Sequence, residues 1–575
     1  MASIVSDNFR IFASQQFIES LAEPYEPTIV NATSIVVGST YTIKTLGNTN
    51  WQLVGAPEGA TEGTIFTAIA VGTGTGTVWK LRSDSDDSAK AFRSKIYLFI
   101  GRPQAWNPTT VAEKYSSLTT DTAPSPVDSI DELNEIFDDM ISLKRITATD
   151  VSPVIRRRIW KTGTVYDMYR HDYSPSNLSV TGASKLYDSQ FYVINDQYQV
   201  YKCIYNGYFP GTYPNGRVST VQPSGTSTSI INTSDGYKWK YMYSLTINDY
   251  IKFVSSDFMA IKKDDNVSAA ATEGTIEQCI VSNTGSGLNY TTATTYYTPI
   301  LGDGTNGAVQ ITVGNTSPNT GKITSASIIN VGSGYTFGTI DLTKCYTTYS
   351  SGTFGGTTVD LGTATNAKIV AIISPAGGHG TNPVAELGGY RVMINKSLDF
   401  LDGDGDIPVD MQFRRFGLIS DPQISGDDFL SPTGTVCKAI AFPLETTTSF
   451  IPGEIITQDT TGAKGRVVHW DSVNKVLRYY QNEYISAAQL NTNAYKLISF
   501  SGANAIKSAS NTVGLTPRTS FSTASGETFV GRTFSSGYSN SEITKNSGNI
   551  LYIENRSPVT RADDQIEDIK LVIEF

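Results

Sequence analysis

Histidine, cysteine and long apolar runs are all scarce in this chain, and each scarcity removes a class of function. The three histidines, His171, His379 and His469, stand far apart, and none has a Cys, His or Glu partner at ligand spacing, which argues against a catalytic metal. The four cysteines, Cys203, Cys279, Cys345 and Cys437, include no C-x-x-C pair. Free thiols are therefore expected rather than a zinc knuckle or a disulfide framework. Nowhere do about 18 apolar residues run together, the length a membrane helix needs. The opening Met-Ala-Ser-Ile-Val turns polar at once, unlike a signal peptide, so no membrane partner is expected. Charged residues make up only 17% of the chain, the formal net charge is −10 and the isoelectric point is near 5.0. No Lys/Arg block is long enough to track phosphates, and nucleic acid is not an expected partner. The G-x-S-x-G, H-E-x-x-H and P-loop signatures are all missing. Neither enzymatic activity nor a cofactor is expected.

What is abundant points to β-structure. There are 50 Gly, 31 Tyr and 11% aromatics in 575 residues. This is a turn-rich β composition with too many aromatics for global disorder and too long a chain for one core. The expected fold is mostly β with a few helices (α+β) and multidomain, with a β-sandwich- or barrel-like core carrying small inserted β modules. A helix is predicted over 6–23, capped by Ser6, ended by Pro24, and burying Phe9, Phe12, Ala13, Phe17 and Leu21. Short strands with Gly-Asn and Gly-Thr turns fill 31–82, and Ser83 to Asp87 form an acidic exit. A strand ends at Gly101. A second helix is predicted over 129–143, with a Ser129/Glu132 capping box and a stripe of Ile130, Leu133, Phe137, Met140 and Ile141.

Residues 191–205 read as a hairpin turning at Asn195-Asp196, with Tyr201, Cys203 and Tyr205 on one face. In 236–245, Tyr237, Trp239, Tyr241, Tyr243 and Leu245 alternate with polar residues and Met242. That stripe reads first as packing between sheets and second as a stacking surface for bases or sugars. Within 266–396 the segment 280–290 is echoed by 328–335, and 304–313 by 366–373, with a degenerate third copy at 376–380. Their Gly-rich corners open no helix and lack a P-loop Lys, so they read as turns. Asp402, Asp404 and Asp406 have calcium-loop spacing, but Ile407 and Phe413 stand where Gly and Glu are needed, which leaves an acidic turn. Residues 430–525 look like a small β-meander, followed by a Ser/Gly/Thr-rich arm over 519–547. The last stretch predicts a strand around Ile550, Tyr552 and Glu554, broken by Pro558. A closing strand then carries Ile569, Leu571, Ile573 and Phe575 on one side. The apolar final Phe predicts an end tied into a sheet.

Arg156-Arg157-Arg158, with Trp160 just beyond, is the candidate partner interface: a docking patch for an acidic neighbour, since the guanidinium fork pairs and stacks. The plainer reading is a solvated strand edge or carboxylate pairing within the chain.

Several of these stretches carry a resemblance. Tyr552-Ile553-Glu554-Asn555-Arg556 with Pro558 and a closing strand is similar to the C-terminus of the gene-product-eight type of baseplate wedge protein of contractile-tailed bacteriophages. Asp235-Gly236-Tyr237-x-Trp239-x-Tyr241, the strand ending Gly101-Arg102 before Trp106-Asn107, the Arg-Arg-x-Trp segment and the 411–422 strand resemble that family too, in the same order. Asp421 stands where the family has Asn. The resemblance implies a core of 1–30, 88–265, 397–429 and 526–575, interrupted by insertions at 31–87, 266–396 and 430–525. It further implies a non-enzymatic homodimer in the virion tail baseplate, assembled in the host cytoplasm, that joins other wedge proteins and rearranges with them on contraction. Glycan contact through the insertions fits the same picture. The alternative is a tail-associated carbohydrate-binding or glycan-degrading protein.

Overall fold

The computed structural model describes residues 4–22, 29–62, 64–80, 95–103, 105–106, 121–290, 294–362, 366–398, 411–424, 427–428, 433–481, 487–491, 494–518, 527–529, 532–561 and 566–575. Pro24, the acidic stretch 83–87, Asn107, the Asp402–Asp404–Asp406 turn and Asp563–Gln565 lie outside them. The fold is mostly β with a few short helices, in two compact units. One comprises Met1–Ile18, Thr149–Asn395 and Lys570–Phe575, the other Glu19–Ala148 and Lys396–Ile569. This division cuts the expected 88–265 core at residue 148 and leaves most of the 266–396 region in the first unit.

The first unit is built around the aromatic strand. Lys238–Ser244 lies between Ile231–Asn232 and Gln199–Tyr205, with Tyr192–Ile194 beyond. Tyr237, Trp239, Tyr241 and Tyr243 are all buried, and Tyr237 and Trp239 stack 5.3 Å apart. The stripe is core, not a stacking surface. The Asp-Gly-Tyr signature has a local cause. The Asp235 carboxylate accepts from the amides of Thr220 and Val221 and from the Thr233 hydroxyl, Gly236 turns with φ +92, and the Tyr237 hydroxyl donates to the Arg217 carbonyl. The hairpin is as expected, with the Asn195 side chain accepting from the amides of Gln197 and Gln199.

A second four-stranded sheet runs Phe258–Ala260, Val151–Arg156, Arg391–Leu398, Glu567–Glu574. Ile569 and Leu571 are buried in it, and the Phe575 amide donates to the Tyr390 carbonyl. The helix Asp7–Ala22 starts as predicted, with the Ser6 hydroxyl accepting from the Phe9 amide. Its buried face is rotated from the expected one. Phe9 and Phe12 are exposed, whereas Ile11 and Ser14 are buried. The orientation is chosen by the chain end: Arg10 stacks on Tyr390 and pairs with Glu574, and Phe17 packs on Phe575.

Neither echoed segment pairs with its own copy; each pairs with a member of the other echo. Ile276–Asn283 forms a ladder with Lys368–Ile373, and Ile323–Asn330 with Ala308–Val313. Both ladders feed one core that includes Ile276, Val281, Val309, Ile311 and Ile369. The equivalent glycines Gly285/Gly287 and Gly332/Gly334 all have positive φ, and a Cβ at Gly332 would lie 2.5 Å from the Thr305 carbonyl. The glycines are thus dictated by backbone geometry. Residues 376–380 form no third copy; they lead into the helix Pro383–Leu387.

The second unit centres on a five-stranded sheet ordered Thr433–Thr435, Met140–Arg145, Ile96–Gly101, Met411–Ser420, Asn549–Arg561. Here three expectations change. The helix stops at Asp139, and Met140 and Ile141 open a buried strand; a short apolar run fits both periods. Ser129 caps the helix through the Glu132 amide, but the Glu132 carboxylate binds Arg415 at 2.7 Å. Pro558 does not end its strand, which runs 13 residues from Asn549 to Arg561. Phe413 pairs with Val559 and Arg415 with Asn555, so Arg556, Ser557 and Pro558 bulge opposite Arg414. The strand ends the order of its sheet, where the missing proline N–H breaks no ladder. Two further sheets, one of four strands and one of six, have their own cores. One contains Tyr41, Trp51, Phe66 and Val78, the other Phe442, Phe450, Val467 and Tyr479.

Gly417 sits mid-strand between Phe99 and Ile553, where a Cβ would fall 2.1 Å from the Tyr552 carbonyl. Gly417→Val is expected to cost about 1–3 kcal/mol or more through overpacking against backbone, read as a lower urea midpoint.

Candidate functional site

The three arginines leave the end of the strand Val151–Arg156. Arg156 pairs in register with Phe258, the Arg157 amide donates to the Asp257 carbonyl, and the Arg158 carbonyl accepts from the Ile194 amide. The segment is thus clamped on both sides by backbone bonds. Each guanidinium lies over a ring: Arg156 on Phe258 at 4.8 Å, Arg157 on Tyr250 at 5.6 Å, Arg158 on Tyr192 at 4.8 Å. Arg157 also donates to the Ser255 carbonyl and the Tyr250 hydroxyl, and Arg158 to the carbonyls of Ser189 and Asp188. Among the described residues none of the three forms a salt bridge. The plain reading of carboxylate pairing therefore does not apply. Carbonyls and rings hold these groups in place without cancelling their charge.

Together with Lys161, Thr164 and Tyr166 they line an open cavity of about 570 Å³. Its wall carries four cationic side chains, so it would favour an anion with several oxygens. Trp160 does not line it. Its indole donates to Ser219 and it packs against the core beneath.

A second charged cluster went unread in the sequence. Lys202, on the face of its strand opposite Tyr201 and Cys203, is fully buried between Glu277 at 2.9 Å and Glu386 at 2.6 Å. Lys240 adds a contact to Glu277 at 3.2 Å. Glu386 also accepts from His379 at 2.8 Å and from the Gly380 amide at 2.7 Å. The other ring nitrogen of His379 lies 2.9 Å from the Tyr241 carbonyl. Burial opposes the charge on each carboxylate, but Lys202 overrides it, aided by His379 for Glu386 and Lys240 for Glu277. Both carboxyls titrate below their ordinary range. Burial likewise opposes the charge on Lys202, and the two glutamates raise its pKa. The expectation that His379 has no Glu partner is thus corrected, although the contact is a buried side-chain hydrogen bond and not a metal site. No local signal marks these residues, because Lys202, Lys240 and Glu277 lie on three strands far apart in sequence and His379 with Glu386 on a fourth segment.

The remaining histidines are structural. His171 accepts from the Ile373 amide, and burial with Arg478 nearby pushes His469 down to about 4. Among the described residues no group of three or more His, Cys, Asp or Glu could hold a metal, and no helix is long and apolar enough to cross a membrane. All four cysteines are buried and free. No protein-family model matches the chain, and no curated protein matches it significantly.

The buried network sets an acid limit. Carboxyls whose folded pKa is depressed contribute stability that is complete above the unfolded value of about 4.3 and lost as pH falls below it. Hydrogen exchange of the strand Ile276–Asn283 is expected to accelerate below about pH 4. Glu386→Gln is expected to cost about 3–5 kcal/mol at pH 7, since Lys202 would keep its charge with half its partners. An unchanged denaturation midpoint would contradict this.

Proposed function

We propose that this chain is a non-enzymatic structural subunit of the tail baseplate wedge of a contractile-tailed bacteriophage, acting as a homodimer that joins neighbouring wedge proteins. The arginine pocket carries the reading. Four cationic groups line one open wall, and among the described residues its arginines have no carboxylate to neutralise them. Such a wall gains most from an acidic side chain on another protein, because the guanidiniums are already oriented by rings and carbonyls. The resemblance of the 235–241, 411–422 and 552–558 segments to the wedge family supports the same reading.

In this role the function is interface geometry. The subunit must hold its neighbours in one arrangement and tolerate another when the sheath contracts. Contacts that differ in strength between the two would set the switch.

Light scattering on the purified protein is expected to give the mass of a dimer; a trimer would point to a fibre or spike. In reconstitution with the other wedge subunits, Arg157→Glu is expected to weaken assembly by about 2–5 kcal/mol if the pocket is desolvated at the contact. The exposed Arg156→Glu should weaken it with no change in melting temperature. Assembly unaffected by both would remove the pocket from the interface.

A further inference from the structure

The six-stranded sheet built from the echoed region has one face that packing leaves unused. Its order is Ile323–Asn330, Ala308–Val313, Thr295–Gly302, Cys345–Ser350, Thr353–Val359, with Gly338–Ile340 also paired to Thr295–Gly302. None of these strands contains Asp, Glu, Lys, Arg or His. The inner side is core: Tyr296, Val309, Ile311 and Cys345 are buried. The outer side carries four partly exposed rings. Tyr297 and Tyr349 stack 6.0 Å apart, tilted by 25°. Phe354 packs on Tyr349 at 4.9 Å and on Tyr346 at 5.3 Å. Alternation alone would put Tyr346 and Tyr349 on opposite faces; the bulge between Tyr346 and Thr348 brings them to one side.

The rings continue into a polar row. Tyr346 pairs with Tyr297, Tyr297 with Gln310, and Gln310 with Ser327, and residues in register share a face. Among the described residues, the hydroxyls of Tyr297, Tyr346 and Tyr349 make no hydrogen bond. Tyr335, beneath the same sheet, bonds both the Ile300 carbonyl and the Gly307 amide.

Rings edged by free hydroxyls and amides, with no charge in the strands, match one kind of ligand. A pyranose offers C–H faces to stack on rings and equatorial hydroxyls to exchange hydrogen bonds. An anionic or cationic ligand would lose its hydration and find no counter-charge. A stable protein contact needs about 800 Å² per partner. Four rings of about 150–250 Å² each, already partly buried on one another, leave only a few hundred. We infer that this face binds a neutral oligosaccharide, with sugar rings stacked on Tyr297 and Tyr349 and hydroxyls reaching Gln310 and Ser327. The inference does not depend on the baseplate reading.

The test is titration of the full chain with maltohexaose, cellohexaose and laminarihexaose, followed by calorimetry and saturation-transfer NMR. A galacturonate hexamer serves as the charged contrast. Saturable binding of at least one neutral hexamer is expected. Tyr349→Ala should weaken it about tenfold or more. Tyr349→Phe, which keeps the ring, should weaken it less, and Gln310→Ala should weaken it with an unchanged melting temperature. No saturable binding by any neutral hexamer, or binding only of the galacturonate, overturns the inference. So does binding that survives both Tyr297→Ala and Tyr349→Ala. A change of mass in light scattering on Tyr349→Ala would make the face a protein contact and also overturn it. Loss of assembly in the arginine variants has no bearing on these outcomes.

Discussion

A single ammonium group, Lys202 Nζ, holds the first unit in register. It lies fully buried between Glu277 and Glu386, so a hairpin strand, the first echoed strand and the helix Pro383–Leu387 meet at one charge. Removing such a group from water costs several kcal/mol, and only well-placed opposite charges offset it. The arrangement therefore tolerates little displacement. A one-residue slip of the hairpin would send Lys202 to the wrong face and take from each carboxylate its nearest cation. His379 and the Gly380 amide complete the shell around Glu386, while one oxygen of Glu277 is left without a hydrogen bond. That imperfection fits a network whose worth lies in specifying one packing more than in net stability.

Arginine plays two contrasting roles in this chain. In the second unit Arg414 and Arg415 are buried and paired, the first with Asp121 and the second with Glu132. Arg532, also buried, donates to the carbonyls of Cys437 and Asn540; burial lowers its pKa from the usual arginine value. These side chains act as internal struts. Arg156, Arg157 and Arg158 are oriented just as firmly, by rings and carbonyls, yet they line an open cavity. What separates the two groups is exposure: Arg532 is held by carbonyls but buried, whereas the three arginines face an open cavity. The uncharged aromatic sheet face is its chemical opposite. On the two proposals above, these surfaces would select different partners.

What the sequence determined by itself was whatever closes over a few neighbouring residues. Period-two alternation marked the Lys238–Ser244 and Glu567–Glu574 strands. Asn195 announced its hairpin, Ser6 and Ser129 their helix starts, and the echoed glycines their left-handed corners. Each of these rests on steric limits or hydrogen bonds that span at most a handful of positions. Tertiary structure alone decided the rest. The face the first helix buries was set by Tyr390 and Glu574, hundreds of residues away. Whether Pro558 ended a strand depended on its place at the end of a sheet and opposite a bulge. The Lys202–Glu277–Glu386–His379 cluster has no trace in local pattern, because a lysine in an alternating strand looks the same whether it meets water or two buried carboxylates. The reason is physical: the energy of a charge depends on its dielectric surroundings and on partners brought by distant chain, and neither is a property of the residues beside it.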